Sequence, residues 1–323
     1  MLDALYHYLP FSDFLNSGKR IYWPFLILCT FYALLFIYFT NYKIKSLKIN
    51  YWLHSSSIID VVVWIGNTIF RTTLFPLLFI SSVSLASMTY QQLASNFGVQ
   101  ILPLFLSKHA VILYTITLFL LSDFSRFILH YACHKNAFLW KIHRMHHTAE
   151  VLTPITLYRV HPLEMILFQS RYVLVNGLTA GLFIYLFHDV ITVPTIFGAE
   201  CIVFISNALG GNLRHSPIPI GFGLFEKLLI SPKQHQMHHS VAKEIQDSNY
   251  GAFFSIWDLL FSTWRPSKGI KNIQYGVAGH RNQSVKTLWR EICLPLVGNN
   301  RFKDRKGTPW HINKIVTYSM INK

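Results

Sequence analysis

HYACHKNAFLWKIHRMHH, residues 130–147, and its echo HQMHH at 235–239 decide how this chain is read. The first stretch holds an H-x-x-x-H pair (His130, His134) and an H-x-x-H-H triplet (His143, His146, His147). The second repeats the triplet (His235, His238, His239). Helix positions three and four apart share a face, so His130 and His134 enter one space, as do His143 and either His146 or His147. Adjacent members of a triplet diverge by about 100° around the axis. One triplet therefore serves two neighbouring ions more easily than it serves one. Imidazole suits iron, zinc, copper and nickel, and eight imidazoles exceed the needs of one four-coordinate ion. The spacing predicts a two-metal site. A single such pair is often a surface or capping pair, but two triplets with a pair just upstream are hard to explain that way.

The composition points to lipid. Of 323 residues, 52% are hydrophobic and only 13% charged, where soluble domains carry about 25% charged residues. The net charge is +15, from 29 Lys and Arg against 14 Asp and Glu. In a membrane protein that excess favours loops facing anionic head groups. Nucleic-acid binding is disfavoured, because the basic residues are scattered between apolar spans and form no basic helix. Cys29, Cys133, Cys201 and Cys293 are isolated. No zinc ribbon, cysteine-held cluster or disulfide framework is supported, and reduced thiols are expected.

Outward from the boxes, residues 21–40 are uncharged and one bilayer long, which predicts a retained transmembrane helix. Residues 58–90 are apolar but broken by Arg71 and Pro76, predicting a kinked span or a hairpin within one leaflet, with Arg71 snorkelling or paired. Residues 101–133 form a further apolar helix that carries the first histidine pair as it leaves the membrane. A second apolar block, 166–209, is divided at the HD pair (188, 189) and Pro194, and predicts a hairpin returning the chain to the same side. The loops bearing the boxes hold Lys135, Lys141, Arg144, Arg159, Arg214 and Lys233, which places the site on the cytoplasmic side. The expected architecture is an all-α, polytopic membrane bundle with a cytosolic helical cap. It divides into N-terminal transmembrane helices (1–114), a catalytic region (115–280) and an interfacial tail (281–323). Trp257, Trp264 and Trp289 suit either an interfacial layer or ordinary packing.

HYACH, HRMHHTAE, TLYRVHP, NLRHS, SPKQHQMHH and NYGAFFSIWDLLFSTW together resemble the sterol desaturase and fatty acid hydroxylase superfamily over roughly residues 115–280. Within it the chain is most similar to the bacterial sterol-desaturase-like branch, and its spacing from first pair to first triplet also resembles alkylglycerol monooxygenases. The resemblance implies membrane helices capped by a cytosolic di-iron centre in a bacterial inner membrane. It also implies O2-dependent hydroxylation or desaturation of a lipid C–H bond. The ligands it implies are His130, His134, His143, His146, His147, His235, His238 and His239. His215 is expected as a ligand or its support, standing where some relatives carry a further pair; Gly211 occupies the partner position. His161, in R-x-H-P, is read as a ligand or equally as a supporting group. Where alkylglycerol enzymes carry a Glu directly after the first pair this chain has Lys135, which weakens the case for an ether lipid and a pterin. His7, His54, His109, His188, His280 and His311 lack box spacing and are expected to be structural or exposed.

An unactivated methylene offers no acidic proton, so a redox metal that activates O2 is required; two iron ions are expected, with zinc as a mis-metallation product. Carboxylates near the boxes should orient imidazole N–H groups. Asp123, Glu150, Glu164, Glu244 and Asp247 are near in sequence, and Asp123 and Glu150 are assigned to the catalytic site. A helix-end pairing of Asp123 with Arg126 is the plainer alternative. No haem loop follows His161-Pro162 and no G-x-G-x-x-G opens a helix after a strand, so electrons must come from a separate reductase or carrier. The rival classes are a zinc membrane hydrolase, which would lack H-E-x-x-H, and a haem- or metal-binding membrane protein without catalysis.

Overall fold

The computed structural model describes residues 10–42, 49–99, 109–187, 211–277 and 284–296. Among these the chain is helical, with no β-structure beyond two isolated bridges, Leu229 to Phe254 and Ser240 to Tyr275. Helix α1 (Trp23–Thr40) buries only Phe25 and Cys29, while Ile27, Phe31, Leu34 and Phe39 are exposed. A helix that is apolar on all sides and mostly uncovered by protein suits hydrocarbon. Trp23–Thr40, the stretch Ser55–Phe97 and Ala110–Lys135 are long and apolar enough to cross a membrane. The architecture is a polytopic membrane helical bundle carrying a histidine-rich cap.

Residues 58–90 fall in two helices, α2 (Ser55–Leu78) and α3 (Ser82–Phe97). Pro76 removes a backbone donor from the last turn of α2, Phe79 is extended, and the Ser81 hydroxyl restarts the helix by accepting from Ser84 N. The two do not pack along one another. Arg71 on α2 is paired, its guanidinium 2.9 Å from Asp13, which also accepts from Trp64 Nε1.

Helix α4 (Ala110–Lys135) ends on the first histidine pair, and α5 (Ala137–His147) begins one residue later. Asn136 makes that turn possible: its side-chain oxygen accepts from Phe138 N and Leu139 N, satisfying two orphan donors of the new helix. The corner brings the pair and the first triplet to one point. Helix α6 (Pro162–Leu186) is the first arm of the expected hairpin; residues 188–210, with the HD pair and Pro194, lie outside the described residues. It packs on α3 through two glycines four residues apart. A Cβ at Gly177 would meet Leu85 at 2.7 Å, and one at Gly181 would meet the Ala86 carbonyl oxygen at 2.6 Å. Small residues at this spacing let helices approach closely in lipid, where apolar surface alone gives no drive to associate. Tyr114 and Leu118 of α4 complete that core with Ala86, Ala180 and Phe183.

The cap is built from short elements: α7 (Pro232–His238), α8 (Ile256–Leu260) and α9 (Val285–Cys293). Buried ion pairs join it to the membrane part. Arg159, fully buried, donates from Nε to Asp60 of α2 at 2.5 Å and also reaches Thr148 Oγ1 and the Ser56 carbonyl. Arg144 of α5 meets Glu291 of α9 at 3.2 Å. Of the three tryptophans, Trp257 and Trp264 donate their indole N–H groups inward, to Asp123 and to the Glu226 carbonyl, whereas Trp289 is exposed on α9. Cys29, Cys133 and Cys293 are free thiols.

Replacing Gly181 by Ala should lower the melting temperature of the detergent-solubilised protein, because its Cβ would press on backbone as well as on Thr89. The expected cost is about 1–3 kcal/mol, that of overpacking, and a Ser at exposed Gly66, where a Cβ meets nothing within 4 Å, serves as the control.

Candidate metal centre

Nine histidines converge beneath the cap in two groups. One holds His130, His134, His143, His147 and His238; the other holds His146, His215, His235 and His239. Within each group the candidate ligand nitrogens lie within 4.8 Å of one another. The division follows helix geometry. The i, i+4 pair His143 and His147 joins the first group while His146, turned by about 100°, joins the second. The second triplet does the reverse: His235 and His239 go to the second group, His238 to the first. The groups share a border, where the His147 and His239 rings stack with centroids 4.5 Å apart.

The ring nitrogens are sorted by what stands behind them. His130 Nδ1 lies 2.8 Å from the Tyr250 carbonyl and His238 Nδ1 3.0 Å from the Ser248 carbonyl. A carbonyl can only accept, so both rings donate from Nδ1, and a neutral ring then carries a bare lone pair on Nε2. These two Nε2 atoms are 3.1 Å apart. His143 Nδ1 is held at 2.7 Å by Glu164, and His146 Nδ1 at 3.1 Å by the Arg159 carbonyl. The opposed Nε2 atoms of His143 and His147 are 3.1 Å apart, and those of His215 and His146 are 3.2 Å apart. Burial lowers the His143 and His146 imidazoles to about 3, so both rings are neutral at neutral pH and present Nε2 as a lone pair. Nitrogens bound to one ion at about 2.0–2.1 Å stand roughly 3.0–3.4 Å apart for bond angles between about 90° and 109°. The donor set, its spacing and the buried, unpartnered His134 Nε2 fit a cation in each group. Five imidazoles in one group leave no room for a porphyrin, which takes single ligands from facing sides.

A cavity of about 520 Å³ opens onto both groups, bordered by His130, His143, His146, His215 and His235. Phe75, Phe119, Met165 and Phe168 contribute apolar wall.

The other candidates from the sequence fall elsewhere. His161 is in neither group: its Nδ1 accepts from Leu163 N as the cap of α6, and its Nε2 faces the Ile292 carbonyl at 3.0 Å, so both nitrogens are engaged. Asp123 touches no imidazole N–H and no Arg126 hydrogen bond is formed. Its oxygens accept from Phe253 N, Phe254 N and Trp257 Nε1, fixing the loop that presents the Tyr250 carbonyl. Glu150 faces His54 at 4.0 Å, away from both groups. Asp247 stands 3.7 Å from His134 Nδ1, and Glu244 lies in the short helical turn Lys243–Gln246. His54 accepts from Ser56 N; His7, His188, His280 and His311 lie outside the described residues. The carboxylate that does hold a ring is Glu164, which sequence distance alone does not separate from its neighbours. Arg159 and the Tyr250 and Ser248 carbonyls have no sequence signal, because they act through backbone oxygen.

Comparison with known proteins gives the same core. Residues 115–263 match the fatty acid hydroxylase family model. The chain is 26% identical over 198 residues to an alkylglycerol monooxygenase of Caenorhabditis elegans, covering 58% of this chain and 34% of that protein. It is 24% identical over 159 residues to the ornithine lipid hydroxylase OlsE of Rhizobium tropici, covering 49% of this chain and 44% of that protein. An alkylglycerol monooxygenase of Xenopus tropicalis is 27% identical over 162 residues, 49% of this chain and 32% of that protein. The matched stretches thus span less than half the length of these relatives. No solved structure matches.

Glu164→Ala should weaken metal retention about 10- to 100-fold, the usual loss when the partner of a ligating ring is removed, with Glu164→Gln between; chelator titration of purified protein measures it. Acid should also destabilise the protein. Between about 3 and the ordinary 6.5, unfolded His143 and His146 take up protons that the folded chain refuses, so stability falls as pH drops through that window. Melting in detergent at pH 7.5 and 5.0 checks the sign, and a higher melting point at pH 5.0 would contradict it.

Proposed function

We propose that this chain is a membrane oxygenase that hydroxylates or desaturates a lipid C–H bond, using dioxygen, two histidine-held iron ions and an external electron donor. The observation that carries this reading is the division of nine imidazoles, eight of them buried, into two adjoining groups beside an apolar-walled cavity. The fatty acid hydroxylase match and the names of the relatives, a monooxygenase and a lipid hydroxylase, support it.

The ligand reading follows the grouping: His130, His134, His143, His147 and His238 toward one ion, and His146, His215, His235 and His239 toward the other. Bound there, iron would supply the dioxygen activation that an unactivated C–H bond requires. The chain's own residues do the rest. Glu164 and the carbonyls of Arg159, Ser248 and Tyr250 fix ring orientation before any ion arrives. The apolar wall receives a hydrocarbon chain and excludes water from its reacting end. His161 and Asp123 serve as positioning residues, one capping α6 and the other tying down the 253–257 loop. A cytoplasmic orientation rests on Lys135, Lys141 and Lys233, since Arg144 and Arg159 are consumed in buried pairs and Arg214 borders the cavity.

The test is metal content per chain on protein expressed with iron, beside a His146→Ala/His238→Ala variant that removes one ring from each group. We expect about two irons per chain in the parent, as imidazole-rich sites allow, and loss of both in the variant. Oxygen from labelled O2 should then appear in a lipid product when a reductase is supplied, or a double bond should form with O2 consumed. Stoichiometric haem, or zinc with O2-independent ester cleavage, overturns the reading.

A further inference from the structure

The cavity beside the histidines has an unexpected charge balance. Six basic side chains border it (Lys19, Arg20, Arg71, Arg126, Arg171 and Arg214), against two acidic ones, Asp123 and Glu164. Glu164 is taken by His143, and Asp123 accepts from three N–H donors while its charge also acts on Arg126 and Arg214, so one carboxylate stands against several guanidinium groups. Arg71 has Asp13, and Arg171 donates to the Ser122 carbonyl and Ser125 Oγ. Lys19 stands beside that Arg71–Asp13 pair and is acted on by both charges. The remaining three, Arg20, Arg126 and Arg214, border the cavity with no side-chain salt bridge or hydrogen bond among the described residues.

These three come from separate parts of the chain and are brought together by the fold. Arg126 lies one helical turn before His130 on α4, four residues away and so on the same face. Arg214 directly precedes His215 in the 3-10 turn Gly211–His215. Arg20 is tied to that turn, because the Asn212 side-chain amide donates to the Arg20 carbonyl. They are close enough to repel: burial first, and then the charges of Arg126 and Arg214, lower Arg20 to about 9. Gathering like charges around a largely apolar space is costly unless something of opposite sign enters it. Guanidinium groups are suited to that role, since their fixed fork of donors matches the oxygens of phosphate and carboxylate.

We propose that Arg20, Arg126 and Arg214 form the recognition site for an oxyanion carried by the substrate, so that the lipid taken by this cavity is an acidic amphiphile bearing a phosphate or a carboxylate. This rests on the lipid-oxidation reading and names its substrate class. The anion is held at the histidine end, with the hydrocarbon along the Phe75, Phe119 and Phe168 wall.

Binding is measured on the metal-loaded, full-length protein in a neutral detergent under nitrogen, so that the outcome is independent of turnover and of the oxygenase reading. The probes are two matched pairs with one oleoyl or oleyl chain: lysophosphatidic acid against monoacylglycerol, and oleate against oleyl alcohol. At least one acidic probe should bind about tenfold or more tightly than its neutral partner, the scale of a charge-assisted contact. Which pair shows the preference distinguishes phosphate from carboxylate. Arg126→Gln/Arg214→Gln should abolish the preference while leaving neutral-lipid binding and metal content unchanged, and Arg126→Lys/Arg214→Lys should keep most of it. Equal binding within both pairs by the parent protein overturns the proposal, whatever the variants do, as does a preference that survives in the Gln variant.

Discussion

Lone pairs that face one another across about 3 Å are the constraint on which the rest of this structure depends. His130 and His238, each with its Nδ1–H committed to a carbonyl, have nothing to give one another across 3.1 Å but repulsion. The fold holds them there regardless, which requires a rigid frame. The Asn136 corner between α4 and α5, the fully buried Arg159 with Asp60, and the Asp123 grip on the 253–257 loop are parts of that frame. The Arg159–Asp60 pair and the Asp123 carboxylate are buried with their polar partners paired, while the Asn136 cap stands at the surface.

The membrane part supports this cap by close helix contact. Gly177 and Gly181 let α6 lie against α3, and α6 begins at the residue after His161 and carries Glu164 in its first turn. The α3–α6 packing thus sets the position of Glu164, the carboxylate within hydrogen-bond distance of the His143 ring. The same helix runs from the lipid-facing core to the histidine end without a break, so a shift in its seating would be felt at His143.

Much of this was legible in the sequence because periodicity carries it. Box spacing alone implies that adjacent members of a triplet turn to different sides, and the geometry divides both triplets between two histidine groups, in opposite senses. The apolar runs gave the first and third spans, and Pro76 marked a break that is there. The carboxylates were not legible. Asp123 lies seven residues before His130, two turns along one face, yet its oxygens turn to backbone amides 130 residues downstream. Glu150 follows a triplet closely but sits past the end of its helix and faces His54. Nearness along the chain does not give direction once a helix has ended. His161 had the right residue type, but its ring caps a helix. The α3–α6 contact was not read from the sequence, although the GLTAG of 177–181 carries the small-residue spacing that signals it.

The two histidine groups are unequal in how they are braced. In the first, three rings have an acceptor behind Nδ1: a carboxylate and two carbonyls. In the second, only His146 does, while the Nδ1 atoms of His215, His235 and His239 are buried without a hydrogen-bond partner among the described residues. An acceptor behind a ring makes it a stronger base and removes its freedom to turn. Taken as ligands, the two sets would therefore differ in grip: the set with three braced rings would fill first when metal is scarce, and the set with three idle nitrogens would exchange its ion more readily. Metal held by these two sets would then have separate histories within one protein, one resident and one renewable.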